Sequence, residues 1–274
     1  MFGNKPWLFV KLHYDCNYQL NRLLRDKAKT FVNFYNYRKI WFLVWNFELK
    51  IYAIIPSGGI GKRINNPLPK QYIKFHGKEL IVYTLQIFQQ CEQIDEIIVA
   101  AKVSFIHLIE EIKNKYGISK LTHIVEGGVE RQHSVFNAVK SLNAKDDDII
   151  LVHDAVRPLI SQKIITESIA TTKKYGASVV AIKAKDTLIK GNDIVQSYVD
   201  RNEIYYAQTP QTFRYNIFMK AMKKAEEENF VGTDESMLVH RTGYKVHIIQ
   251  GSSLNVKITS DDDLKLFEIF SENM

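Results

Sequence analysis

The chain is poor in cysteine: its 274 residues hold two, Cys16 and Cys91. Two thiols cannot build a disulfide framework, which excludes a stapled secreted scaffold and fits a reducing compartment. Long apolar runs are also missing. A spanning helix needs roughly 18 or more consecutive apolar residues; residues 40–45 come nearest, and they are too few and flanked by charge. The first residues lack the charged, apolar and small-residue regions of a secretory signal, so a cytoplasmic protein is expected. Residues 1–50 contain no serine, which speaks against an organellar transit peptide although acids are scarce there.

Negative charge is unevenly absent. The formal net charge is +7, and residues 1–50 contribute nine Lys and Arg against three acids, leaving +1 for residues 51–274. The body of the protein therefore offers no broad basic surface, and nucleic acid is not expected as a partner. Residues 1–50 also hold all three tryptophans and 13 of the 32 aromatic residues. This segment reads as an N-terminal extension outside the fold, translated upstream of a start that would use a non-Met codon near residue 50. A membrane-surface segment, with basic and aromatic residues interleaved, is the other reading.

What is present from residue 51 onward is an alternation of strands and helices. Apolar runs at 51–55, 96–101, 122–125, 149–152 and 178–182 predict strands, and amphipathic stretches at 80–91, 105–116, 131–142 and 161–175 predict helices. That order argues an α/β domain with a mostly parallel sheet and helices on both faces. In such sheets ligands bind outside the carboxyl ends of the strands.

The first strand runs into Ser57-Gly58-Gly59-Ile60-Gly61-Lys62-Arg63, with Pro69-Lys70-Gln71 close behind. Glycines after a strand let backbone N–H groups approach an anion, and Lys62, Arg63 and Lys70 supply cations for a polyphosphate. The spacing matches neither GxGxxG nor GxxxxGK[ST], so a different phosphate loop is indicated.

Asp154, in His153-Asp154-Ala155-Val156-Arg157-Pro158, closes another strand and is placed to hold Mg²⁺ through carboxylate oxygen; the plainer reading is a loop acid paired with Arg157. His153 reads as structural. Gly127-Gly128, followed by Ser134, marks a strand-to-helix turn whose N–H groups could meet a ligand or simply make the turn. Two short β-prone segments between Thr187 and Arg201, joined by Gly191-Asn192-Asp193, predict a hairpin arm at about 185–203 that packs on a second subunit. Asn255-Val256-Lys257-Ile258-Thr259 reads as a strand end leading into a helix capped by Ser260. There Lys257 either reaches a phosphate or is a solvated surface lysine.

In their order and spacing these segments, with Ala207-Gln208-Thr209-Pro210-Gln211 and Thr233-Asp234-Glu235, resemble the 2-C-methyl-D-erythritol 4-phosphate cytidylyltransferase family over residues 51–274. The resemblance implies a Rossmann-like nucleotidyltransferase fold, a homodimer joined by β-arms, and Mg²⁺-dependent transfer of CMP from CTP to a polyol phosphate. It implies that Arg63, Lys70 and Lys257 are catalytic and that Ser57, Gly58, Gly59, Gly61, Gly128, Ser134 and Asp154 bind CTP, Asp154 also holding the metal. Thr187, Arg201, Arg157 and Thr209 would contact the polyol phosphate, the arm residues in the neighbouring subunit's site. Departures from the family's pattern are Ser57 for a common Ala, Val129 and Leu254 for acids, and a short arm. Ribitol-5-phosphate cytidylyltransferases share the GGIG loop and a PLPKQ-like ending, so D-ribitol 5-phosphate is the alternative acceptor, and a non-catalytic nucleotide-binding protein the alternative class.

Overall fold

The computed structural model describes residues 49–59 and 67–272. Residues 1–48 of the extension lie outside the described residues, as do Gly61, Lys62 and Arg63 of the glycine loop. Strand β1 (Ile51–Pro56) is followed by a small hairpin, β2 (Lys74–Phe75) and β3 (Lys78–Glu79), then helix α1 (Leu80–Gln90), β4 (Glu96–Ala101), α2 (Val103–Tyr116), β5 (Leu121–Glu126), α3 (Arg131–Lys140) and β6 (Ile149–Val152). After α4 (Gln162–Tyr175) and β7 (Ala177–Lys183) come the arm strands β8 (Leu188–Gly191) and β9 (Val195–Val199), then β10 (Tyr205–Arg214), α5 (Tyr215–Glu227), α6 (Glu235–Arg241), β11 (His247–Gln250) and α7 (Asp261–Ser271).

Among the described residues, seven strands form one sheet in the order β11-β7-β10-β6-β1-β4-β5. All neighbours are parallel except β10, which runs antiparallel to β6 and β7. Both faces are covered, so β1 is apolar at every position from Ile51 to Ile55 rather than alternating. Ile51, Ala53 and Ile55 enter one core with Leu85 and Phe88 of α1, Ile109 of α2 and Ile165 of α4. Tyr52 and Ile54 enter the other with Val135 and Val139 of α3, Phe218 of α5 and Leu238 of α6.

The predicted strands and helices are all found, with ends moved by one or two residues. Two departures matter. Asn255–Thr259 is not the end of a strand: β11 stops at Gln250 and residues 251–260 are irregular, so Lys257 is carried by a loop. That loop is pinned where Ile258 N–H donates to Val156 O at 2.9 Å. The segment 207–211, read only as a motif, lies inside β10. Pro210 cannot donate to a ladder, and β10 accommodates it with a register irregularity between Ala207 and Gln211.

From β1 the chain winds outward through β4 and β5, then returns to place β6 on the other side of β1. The sheet's topological switch point therefore lies between β1 and β6, the position where open α/β sheets leave a crevice at the strand ends.

Candidate active site

Three turns meet at that crevice. The backbone ladder runs on past the strand ends: Ser57 N–H donates to Ala100 O at 2.7 Å, Gly127 N–H to Ala101 O at 2.8 Å, and His153 N–H to Ile54 O at 2.9 Å. These bonds set Ser57-Gly58-Gly59, Gly127-Gly128 and His153-Asp154 side by side. The resulting cleft, about 370 Å³, is lined by Ser57, Gly58, Gly59, Lys70, Gly128, Ser134, Asp154 and Lys257 among the predicted residues, and also by Arg131 and Glu130. Its size is that of a small-molecule site.

Each wall has its own local cause. Gln71, in a short 3₁₀ turn beginning at Lys70, donates through Nε2 to Ser57 O at 2.7 Å and to Gly59 O at 2.8 Å, holding the glycine turn open toward the cleft. Tyr72 hydroxyl lies 3.1 Å from Ser57 Oγ, and its ring stacks on Phe105. Lys70 Nζ donates to Ile258 O at 2.7 Å, joining this wall to the Lys257 loop. Gly128 N–H donates to Ser134 Oγ at 3.0 Å, so the first turn of α3 folds back on the glycines. A Cβ on Gly128 would stand 2.3 Å from His133 Cβ, which forbids any larger residue without moving the helix.

Asp154 is the electrostatic centre. Its side chain is 8% exposed; Oδ1 accepts from Arg131 Nε at 3.1 Å, and Oδ2 meets Arg157 Nε at 3.2 Å and Lys257 Nζ at 3.0 Å. Burial alone would raise the carboxyl pKa. Arg131, Lys257 and Arg157 outweigh it and hold the group well below the usual carboxylate range. Arg131 in turn gives Nη1 to both oxygens of Glu235, each at 2.6 Å, with Glu235 only 1% exposed.

A second layer fixes the Asp154 turn from below. Asp154 N–H donates to Thr209 Oγ1 at 3.1 Å, and Thr209 Oγ1 lies 3.0 Å from His153 Nδ1. His153 Nε2 is 3.2 Å from Arg157 O, which can only accept. His153 is thus the neutral Nε2–H tautomer, with Nδ1 accepting from the Thr209 hydroxyl. It is fully buried, and that burial pushes its pKa down to about 4. Asn255 Nδ2 donates to Thr209 O at 2.8 Å, while Arg157 Nη1 donates to Asn255 O at 2.7 Å.

The predicted residues that are described therefore divide into three groups, Gly61 and Arg63 lying outside the described residues. Ser57, Gly58, Gly59, Lys70, Gly128, Ser134, Asp154 and Lys257 come together in the cleft. Arg157 and Thr209 are buried beneath Asp154 and support its turn. Thr187 and Arg201 are exposed at the base of the arm, where the Arg201 guanidinium donates to Lys185 O, and neither lines the cleft of its own chain. Neither Arg131 nor Glu235 was given a role from the sequence, where Glu235 stands only within the Thr233-Asp234-Glu235 motif. One signal was available for Arg131: a cation at the first position of a helix opposes the helix dipole.

Asp154 and Glu130 are the cleft's carboxylates, and the described residues contain no cluster of three or more His, Cys, Asp or Glu placed for a metal. A protein-only metal centre is thus not built among them. A single buried carboxylate beside a polyphosphate site does fit Mg²⁺, which is usually held by one or two carboxylates together with substrate phosphates and water.

The chain is similar to known proteins over most of its length. Residues 51–273 match the family model IspD, 2-C-methyl-D-erythritol 4-phosphate cytidylyltransferase. The protein of that name from Clostridioides difficile (strain 630) is 42% identical over 79% of this chain and 91% of its own, and the one from Geotalea uraniireducens (strain Rf4) is 36% identical over 82% and 98%. Among solved structures, the Francisella tularensis 2-C-methyl-D-erythritol 4-phosphate cytidylyltransferase superposes with a TM-score of 0.69 at 32% identity, over 80% of this chain and 99% of that one. The Anaerococcus prevotii 4-diphosphocytidyl-2C-methyl-D-erythritol synthase gives a TM-score of 0.71 at 29% identity, over 81% and 96%. The chain belongs to the IspD family of nucleotidyltransferases, the 2-C-methyl-D-erythritol 4-phosphate cytidylyltransferases.

Proposed function

We propose that this protein transfers CMP from CTP to 2-C-methyl-D-erythritol 4-phosphate, releasing pyrophosphate, as a step of isoprenoid-precursor synthesis. The observation that carries the reading is the meeting of the glycine turn, the α3 N-terminus, Lys70, Lys257 and Asp154 in one cleft at the switch point. In this reaction the acceptor's phosphate oxygen attacks the α-phosphorus in line. The protein needs no covalent nucleophile, only positioning and compensation of growing negative charge.

Backbone N–H groups around Gly58 and Gly128, with Ser134, receive the nucleotide. Lys70 and Arg63 stabilise the α-phosphate as charge builds on it, and Lys257 serves the phosphates from its loop. Lys257 now pairs with Asp154 through a side chain that is 39% exposed, so it is free to exchange that carboxylate for a phosphate. Asp154 is the carboxylate that would hold Mg²⁺, whose chemistry when bound is to neutralise and orient the phosphates. We assign the transferase domain to residues 49–274, since Leu49 packs on the core and Lys50 O accepts from Ile149 N–H at 2.9 Å, with residues 1–48 outside it, in a cytoplasmic homodimer whose arms bring Thr187 and Arg201 to the partner's acceptor site.

Incubation of the purified protein with CTP, Mg²⁺ and each polyol phosphate in turn tests the reading. Pyrophosphate release with 2-C-methyl-D-erythritol 4-phosphate is expected, and its loss on chelation of divalent cations. Release with D-ribitol 5-phosphate alone would overturn the choice of acceptor, and CTP binding without turnover on either would overturn the enzyme reading.

A further inference from the structure

Arg131 is shared between two carboxylates. Its Nη1 contacts both oxygens of Glu235 at 2.6 Å, and its Nε contacts Oδ1 of Asp154 at 3.1 Å. Glu235 opens α6 from the far side of the crevice, 1% exposed, and its turn is fixed independently: Asp234 accepts from Met237 N–H at 2.8 Å, and Gln211 links Asp234 to Ser236 N–H. The arrangement is poor as a stability device. Arg131 stands at the positive end of α3, where a cation is disfavoured, and a buried ion pair seldom stabilises more than well-packed apolar residues would.

What the arrangement does control is the state of Asp154. A carboxylate offers about four acceptor positions, and Arg131 Nε, Arg157 Nε and Lys257 Nζ take three. A guanidinium left to itself grips a carboxylate with two nitrogens. That grip would fill the fourth position and turn the carboxylate away from the cleft. Glu235 grips Nη1 from the other side and so fixes the plane of the guanidinium, and in that orientation Arg131 reaches Asp154 through Nε and not through Nη2.

From this we infer that Glu235 is a positioning residue for the cytidylyl-transfer site, acting through Arg131 to keep one face of Asp154 open to the metal–nucleotide complex. The inference rests on the cytidylyl-transfer reading of the cleft.

The test uses the full chain with Glu235→Gln, Arg131→Lys and the apolar pair Arg131→Met with Glu235→Leu. Three readings are taken on each: pyrophosphate release, Mn²⁺ titration in the presence of CTP followed by electron paramagnetic resonance, and the thermal midpoint. Supporting residues around a metal ligand typically matter by about 10- to 100-fold in metal affinity or rate. Glu235→Gln and Arg131→Lys are expected to lose kcat and Mn²⁺ affinity by that factor, with KM for CTP moving less than about threefold. The apolar pair is expected to regain the thermal midpoint and not the rate.

Wild-type kcat and Mn²⁺ affinity in Glu235→Gln, or recovery of both in the apolar pair, would overturn the inference and leave the pair as packing. If the apolar pair does not fold, the two single variants decide on the same readings. Should wild-type protein bind Mn²⁺ with CTP yet release no pyrophosphate, the functional reading fails, and the Mn²⁺ titration of Glu235→Gln still decides the role of Glu235.

Discussion

Three cations around Asp154 do two things at once. They keep the carboxylate ionised in a buried setting, and they keep the desolvated charge compensated until a substrate arrives. Lys257 is the exchangeable member, since Arg157 is tied to Asn255 O and Arg131 to Glu235. Replacing Lys70 or Lys257 by Ala should lower kcat by roughly 10²-fold, the usual cost of removing one group that compensates transition-state charge. Steady-state pyrophosphate release checks it, and an unchanged rate in both variants would sink the mechanism.

Beneath Asp154, His153 gives a pH signature. Its folded-state pKa is pushed down to about 4 from an ordinary value near 6.5. The folded protein thus favours the neutral ring, and that contribution is complete above about pH 6.5 and lost as pH falls toward about 4. The loss across the window amounts to roughly 3 kcal/mol. Asp154, with its pKa also depressed, withdraws its own contribution only further down, below the ordinary carboxylate value of about 3.9. Urea unfolding of wild type and His153→Gln between pH 7 and 4 should show a steeper decline in the wild type; parallel curves would refute the assignment.

At the scale of elements, the cleft depends on where two helices begin and end. The start of α3 is pressed against Gly128 so closely that Gly128→Ala must displace the first helical turn. That should weaken CTP binding by about tenfold or more, given that misplacements near 1 Å can cost far more in catalysis, and calorimetric titration reads it. Helix α7 anchors the loop carrying Lys257 through its capping box: Asp263 Oδ2 accepts from Thr259 N–H at 2.7 Å and Ser260 N–H at 2.9 Å. Phe267 seats the helix edge-on between Phe75 and Tyr83, both at 5.1 Å. Phe267→Ala should destabilise the protein by about 3–5 kcal/mol, measured by denaturant unfolding. In the folded fraction KM for CTP should rise, because Lys257 loses its mooring.

For the whole molecule, the arm stands out among the described residues for its apolar exposure. Both its strands and the turn between them are largely exposed, with Ile189 at 57%, Ile194 of the turn at 79% and Tyr198 at 73%. A two-stranded ribbon of this kind is marginal alone, and such apolar exposure marks an association surface. If the arms join a homodimer, Ile194→Asp with Tyr198→Asp should shift the sedimentation coefficient from dimer to monomer and lower turnover. A wild-type monomer at micromolar concentration would refute the dimer.

Much of this protein was legible in its sequence because the signals are local. Period and length of the apolar runs place β1, β4, β6 and the helices between them, since a strand buried on both faces must be apolar throughout. Glycines after β1 and β5 mark anion-binding turns, because only Gly permits that approach. Residues far apart in the chain were another matter. The position of Lys257 on a loop, the passage of Pro210 through an antiparallel strand, and the joining of Arg131 to both Asp154 and Glu235, 104 residues beyond it, depend on how layers pack. No local pattern encodes a contact of that separation. Local pattern was enough to name the elements and the chemistry they could carry; which charges face one another is settled by packing, because only folding brings carboxylates and cations within bonding distance and out of water.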